Sequence, residues 1–269
     1  MASAVVAQYT PGLRDWWERA DPVFSHIEYK SYLRRSYQHW KREWLDYMCG
    51  QARRTDLRVA EFGIGAGLLG ARLLSDYNIR HYDGLEISPR QRDAAALRLN
   101  MTAHVAGTSF ALHDSMVTTI SSLHPDAFIS QAVVQHFPSQ QYLDRWLADV
   151  DQSGAATLML QVRTPIGKAC RWCVCSDDVC QPQPSTSALL AFNASQSQMQ
   201  WALMVNTSHL QRRLTRYKLE WASQPSKDTY YVSHIFCLRD SDRCTVRASR
   251  GSRGGHSTDG ARPLSSRVV

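Results

Sequence analysis

The segment Val59-Ala60-Glu61-Phe62-Gly63-Ile64-Gly65-Ala66-Gly67-Leu68-Leu69-Gly70 constrains this chain more than any other. A short apolar run ends in three glycines at alternate positions. Leu69, Leu73 and Leu74 then recur at helical spacing. The pattern predicts a strand over 57–62, a tight turn, and a helix over 68–77. Glycine has no Cβ, so its backbone can take positive φ and pass close to a bound ligand. In an open α/β sheet such a turn lies at the carboxyl edge of the strands, where ligands bind.

The same rhythm continues along the chain. Strands are expected over 81–87, 109–113, 127–134 and 155–162. Ser88-Pro89-Arg90-Gln91 has the form of a helix start, with Ser88 as N-cap and Gln91 closing a capping box. Ser139 opens another helix, whose Leu143, Trp146, Leu147 and Val150 share one face. Strands alternating with helices at this pace imply a parallel sheet covered on both faces. A further helix is expected near Ser208. Two strands over 217–222 and 230–238, joined by a turn at 224–227, should pair antiparallel.

The ligand of the glycine turn is contested by two patterns. Gly65-Ala66-Gly67-Leu68-Leu69-Gly70 satisfies G-x-G-x-x-G, and Glu86 follows where a ribose-binding acid would sit in an NAD-dependent oxidoreductase. Glu61 weighs against a dinucleotide, because a carboxylate beside the turn would repel a pyrophosphate. S-adenosylmethionine carries no phosphate and brings an ammonium and a sulfonium.

On these residues the chain resembles the class I S-adenosylmethionine-dependent methyltransferases, over roughly residues 55–238. The family's acid-x-Gly-x-Gly-x-Gly motif matches Glu61, Gly63, Gly65 and Gly67. Its ribose-binding acid matches Glu86, and its acid near the adenine amino group matches Asp114. Its fourth-strand segment matches 126–137, which puts Ser130 and Gln131 near the sulfonium. The resemblance implies a Rossmann-like α/β fold, doubly wound, with a mostly parallel seven-stranded sheet. It implies S-adenosyl-L-methionine as cofactor and methyl transfer as activity. A small-molecule acceptor is expected, with protein or RNA acceptors as alternatives. The rivals are the NAD-dependent oxidoreductase and a catalytically silent methyltransferase-like binding protein.

His136 follows the fourth strand at the mouth of the site. It is the candidate catalytic base, on the expectation of a near-neutral pKa. Methyl transfer is an in-line displacement at an activated carbon, so positioning alone can suffice. Phe137-Pro138-Ser139 does not reproduce the Asp/Asn-Pro-Pro-aromatic motif of members that methylate amide or base nitrogens.

Outside the core the sequence is less regular. Residues 1–54 are rich in Trp and Tyr at helical spacing and are expected to form an N-terminal helical cap. Residues 163–200 carry four cysteines and many Ser and Gln, and are expected to be a loop insertion. Cys170, Cys173, Cys175 and Cys180 could make a tetrahedral zinc site, but the expectation is no metal and free thiols. The chain has seven cysteines, an odd number, and a start without a basic leader, so reduced thiols in the cytoplasm are expected. No apolar run approaches the ~18 residues of a membrane span. The chain carries +7, of which residues 239–269 hold seven Arg against three Asp, and this segment reads as a disordered basic tail.

Overall fold

The computed structural model describes residues 57–77, 79–137, 139–164, 173–176, 179–182, 203–223 and 231–240. The expected helical cap, most of the insertion, the 224–227 turn and the tail from 241 lie outside the described residues.

Seven strands form the main sheet: β1 (Arg58–Phe62), β2 (His81–Glu86), β3 (Ser109–Asp114), β4 (Ala127–Ser130), β5 (Thr157–Arg163), β9 (Tyr217–Ala222) and β10 (Tyr231–Leu238). Their order is β3-β2-β1-β4-β5-β10-β9. The first five pair in parallel, whereas β10 runs antiparallel to both β5 and β9. The doubly wound, mostly parallel seven-stranded sheet is therefore present.

Alternation along each strand feeds two cores. On one face Val59, Tyr82, Ile129, Met159 and Ile235 pack with α1 (Leu68–Asp76) and α2 (Pro89–Ala106) through Leu69, Leu73, Ala95 and Leu99. On the other, Phe62, Phe128, Leu158 and Phe236 pack with α3 (Gln140–Gln152) and α4 (Thr207–Arg213) through Leu143, Trp146, Leu147 and Leu210. Strands buried on both sides are the reason these segments read as continuous apolar runs. Both expected caps form: Ser88 Oγ accepts from Gln91 N at 3.3 Å and Ser139 Oγ accepts from Tyr142 N at 3.1 Å. Among the described residues, no helix is long and apolar enough to cross a membrane.

Two expectations need correction. The fourth strand stops at Ser130 rather than 134, because Ala132 adopts φ 48 and breaks the ladder before a 3-10 turn over Val134–His136. The insertion is not loop throughout. It contains β6 (Cys173–Ser176) and β7 (Val179–Pro182), which form a three-stranded antiparallel sheet with β8 (Met204–Val205). Val179 and Val205 are buried in the second core, which anchors this small sheet to the domain.

Candidate active site

The turn after β1 is built from three left-handed glycines, with φ of 77° at Gly63, 52° at Gly65 and 73° at Gly67. The backbone N–H of Gly63 donates to the Leu85 carbonyl at 2.8 Å, which ties the turn to the end of β2. A Cβ on Gly63 would lie 2.3 Å from Val133 Cγ2. A Cβ on Gly65 would meet nothing within 4 Å, so Gly65 faces open space at the carboxyl edge of the sheet. The Arg98 guanidinium of α2 donates to the Ala66 carbonyl and clamps the tip of the turn.

Glu61 and Glu86 flank this turn, and both are buried. Glu86 Oε2 accepts from Gly65 N at 2.9 Å, while its Oε1 accepts from Ile87 N at 2.9 Å and Ser88 N at 3.0 Å. Burial nevertheless pushes its carboxyl above the ordinary value. Glu61 is bonded differently. Its Oε2 accepts from the Tyr82 hydroxyl at 2.6 Å, and no cation of the described residues pairs with it. Burial pushes it up to about 8; the Tyr82 bond offsets only part of this, and the neighbouring Glu86 charge adds to it. A buried carboxyl without a counter-ion is costly unless a cation arrives. The site thus presents an acid that a positively charged ligand would stabilise and a phosphate would not.

Asp114 closes β3 in register with Glu86. Its Oδ1 accepts from Met116 N at 2.9 Å, and its Oδ2 lies 3.6 Å from Arg92 Nη2. Asp114 is half-buried, so it shapes the turn after β3 and still meets solvent. Ser130 is fully buried and donates to the Phe62 carbonyl at 3.5 Å, whereas Gln131 is partly exposed. β1 pairs β4 through Phe62 and Ser130, and β2 pairs β3 through Glu86 and Asp114. The ends of β1, β2, β3 and β4 therefore bring Glu61, Gly63, Glu86, Asp114, Ser130 and Gln131 to one edge of the sheet.

His136 requires a correction. It sits in the 3-10 turn beside that edge, but its pKa is lowered to about 4 by burial and by the Arg163 charge, not held near neutral. The ring is neutral at neutral pH. Its neighbour Gln135 is buried, and Gln135 Nε2 lies 3.2 Å from His136 Nε2 and 3.2 Å from Tyr231 Oη.

Sequence reasoning missed Tyr82, Arg98, Gln135, Arg163 and Tyr231. Tyr82 was legible only as an apolar strand residue, Gln135 only as part of the 126–137 segment, and the other three carry no motif. The thiols also depart from expectation, since Cys180 and Cys237 are disulfide-bonded. The described residues contain no group of three or more His, Cys, Asp or Glu that could hold a metal ion.

No family model and no curated protein matches this chain. Solved structures do. A small RNA methyltransferase, HEN1, aligns with a TM-score of 0.51 at 16% identity, over 77% of this chain and 25% of that one. A Rhodobacter sphaeroides protein described as a zinc-dependent alcohol dehydrogenase aligns with a TM-score of 0.55 at 12% identity, over 86% of this chain and 100% of that one. A TehB-like methyltransferase from Corynebacterium glutamicum aligns with a TM-score of 0.44 at 13% identity, over 80% of this chain and 100% of that one. Identities this low speak to fold only. Strand order separates the folds: dinucleotide domains run 3-2-1-4-5-6, whereas here antiparallel β10 inserts between β5 and β9. With that reversed strand in place, the chain has the Rossmann-like fold of the class I S-adenosylmethionine-dependent methyltransferases.

Proposed function

We propose that the chain is an S-adenosylmethionine-dependent methyltransferase acting on a small molecule. The observation that carries this reading is Glu61: a buried carboxyl beside the glycine turn whose hydrogen-bond partner, among the described residues, is a hydroxyl and not a cation. It favours a cofactor with an ammonium and opposes a pyrophosphate, which disfavours NAD. When bound, S-adenosylmethionine supplies a methyl carbon activated by its sulfonium. Gly65 would let the backbone approach it. Glu86 would accept from a ribose hydroxyl with the lone pair that its three backbone donors leave over. Asp114 would lie near the adenine amino group, with Ser130 and Gln131 beside the sulfonium. His136, neutral and half-buried, would orient the acceptor rather than deprotonate it.

A protein or RNA acceptor is the second reading, supported by the excess of Arg over Asp in residues 239–269. Calorimetric titration of the full chain with S-adenosylhomocysteine and with NAD tests the first reading. S-adenosylhomocysteine should bind and NAD should not; the reverse result would replace the methyltransferase with an oxidoreductase. Cofactor binding without transfer to any acceptor would point to the silent relative.

A further inference from the structure

A second cluster of polar side chains lies on the sheet face turned away from α1 and α2. Parallel pairing sets Arg58, His81 and Ser109 in one row across β1, β2 and β3. Side chains alternate along a strand, so Asp83 shares the face of His81, and His113 that of Ser109. Tyr82, between His81 and Asp83, packs on the other side with α1 and α2. Ser109 and Asp114 stand at opposite ends of β3. The row is therefore roughly 16 Å from the cofactor edge.

Asp83 is fully buried and held from three sides. Its Oδ2 accepts from Arg58 Nε at 2.7 Å, and its Oδ1 accepts from His113 Nε2 at 2.8 Å and from His81 Nε2 at 3.2 Å. Burial raises its carboxyl, but the bonds from His113 and Arg58 outweigh this and hold it at about 2. At neutral pH it is a carboxylate and can only accept. His81 must then carry a proton on Nε2, and in the neutral ring Nδ1 is a bare lone pair. That lone pair faces Ser109 Oγ at 2.7 Å. Ser109 Oγ also lies 3.3 Å from the Arg80 carbonyl. The hydroxyl has one hydrogen, and two lone pairs would repel at the shorter distance, so the hydrogen goes to Nδ1.

The chain of contacts runs hydroxyl, imidazole, carboxylate, which is the order of nucleophile, base and orienting acid. In the familiar Ser-His-Asp triad the acid holds Nδ1 and the hydroxyl meets Nε2. Here the two ring nitrogens are exchanged, and the proton path through the ring is the same. Arg58 and His113 already satisfy the Asp83 charge from both oxygens, so the ion pair does not need His81. What His81 adds is the link to Ser109. Ser109 is exposed and His81 partly so, which leaves the nucleophile open to a reactant from solvent.

We propose that Ser109, His81 and Asp83 form a second reactive site, in which Ser109 takes an acyl group from an ester. Ser109 Oγ attacks the acyl carbon and its proton passes to His81 Nδ1. The bond from the acyl carbon to the ester oxygen breaks, and the departing alkoxide takes that proton from His81 and leaves as the alcohol. The acyl group stays on Ser109 as an ester. Water then attacks it and gives a proton to His81 Nδ1. The Ser109 oxygen leaves with that proton, and a carboxylic acid is released. Asp83 touches neither ester nor water and is the positioning residue that sets the His81 tautomer. The site shares no residue with the glycine turn, so the inference stands apart from the methyltransferase reading.

An alkyl fluorophosphonate and p-nitrophenyl acetate are the probes, each used on the full chain. The fluorophosphonate should attach to Ser109, read by peptide mass mapping. p-Nitrophenyl acetate should leave an acetyl group on the same residue and release nitrophenolate. Ser109→Ala and His81→Gln should each slow that release by about 100-fold, the scale of a lost general base or its nucleophile. Asp83→Asn should lower kcat and leave KM in place, because the ester does not touch Asp83; a mere loosening of the sheet would not give that split. Unfolding midpoints report whether each variant is folded. Where one is not, the residue labelled in the unaltered chain decides. A label absent from Ser109, nitrophenolate release that survives Ser109→Ala, or a folded His81→Gln or Asp83→Asn variant as fast as the parent would overturn the proposal.

Discussion

The three glycines of the turn answer to different demands. Gly63 and Gly67 are hemmed in, by Val133 and by Ala95, whose Cβ would lie 2.9 Å from a Cβ on Gly67. A Cβ on Gly65 would meet nothing within 4 Å. Gly63→Ala should therefore destabilise the fold through clash and strain together. Gly65→Ala should cost only the left-handed strain, about 1–2 kcal/mol, yet weaken S-adenosylhomocysteine more than Gly63→Ala does relative to its loss of stability. Parallel titrations and melts of the two variants check this. Glu86 has a double role that spacing could not reveal. The sequence places it at a strand end as a ribose acceptor. The structure gives it three backbone donors. Glu86→Ala would leave those N–H groups unpaired, at about 1–3 kcal/mol for a buried donor. The expected outcome is a lower unfolding midpoint together with at least tenfold weaker cofactor binding, by roughly 1.4 kcal/mol or more. Unchanged affinity in a folded variant would remove Glu86 from the site. Glu61 shows the same limit of legibility: the motif located the acid, but only the fold brought Tyr82 to it from the next strand.

At the scale of elements, what the sequence announced was what periodicity and capping chemistry encode locally. α2 and α3 begin at Ser88 and Ser139 as their caps require. Ser139→Ala should cost about 0.5–2 kcal/mol in chemical denaturation, the usual range for a lost N-cap. The β6–β7 hairpin was not legible, because Cys-Val-Cys-Ser and Val-Cys-Gln-Pro are only four residues long and do not alternate apolar with polar. The 3-10 turn of His136 was hidden for another reason. Val133 and Val134 favour a strand, and the left-handed Ala132 overrides that preference. Cysteine count was read as a sign of free thiols, yet Cys180 of β7 and Cys237 of β10 are in disulfides. In the native oxidised chain neither Cys180 nor Cys237 should react with an alkylating reagent. Reduction should lower stability, by about 2–4 kcal/mol for a typical disulfide. Labelling of either residue without reductant, read by peptide mass mapping, would contradict the assignment.

For the molecule as a whole, buried ionisable groups set how stability depends on pH, and they do not all pull the same way. Asp83 lies between Arg58 Nε at 2.7 Å and His113 Nε2 at 2.8 Å. Burial pushes its carboxyl up, but the bonds from His113 and Arg58 outweigh this and hold it at about 2. Its contribution is complete above the ordinary value of 3.8 and is lost as pH falls toward about 2. His136 and His234 are lowered from 6.5 to about 4, chiefly by burial. Between those values the unfolded chain binds protons that the folded one refuses, so both histidines make stability rise with pH up to 6.5. Glu61 acts in the opposite sense. From 4.5 to about 8 the folded chain holds a proton that the unfolded chain has lost, so stability falls as pH rises through that window. Glu86, also raised by burial, adds to the fall. Below 6.5 the histidines offset the carboxyls; above it they no longer do. The ligand-free chain should therefore lose stability from 6.5 to about 8 and level off beyond. Glu61→Gln should flatten that decline. A bound cation should flatten it too, because it lets Glu61 ionise in place, so S-adenosylmethionine should tighten with pH over the same window and release a proton on binding. Denaturant titrations across the pH range check the first expectation, and calorimetry in buffers of different ionisation enthalpy checks the last. A stability that keeps rising from 6.5 to 8 would mean that Glu61 is already ionised in the empty site, with a counter-charge supplied from elsewhere in the chain.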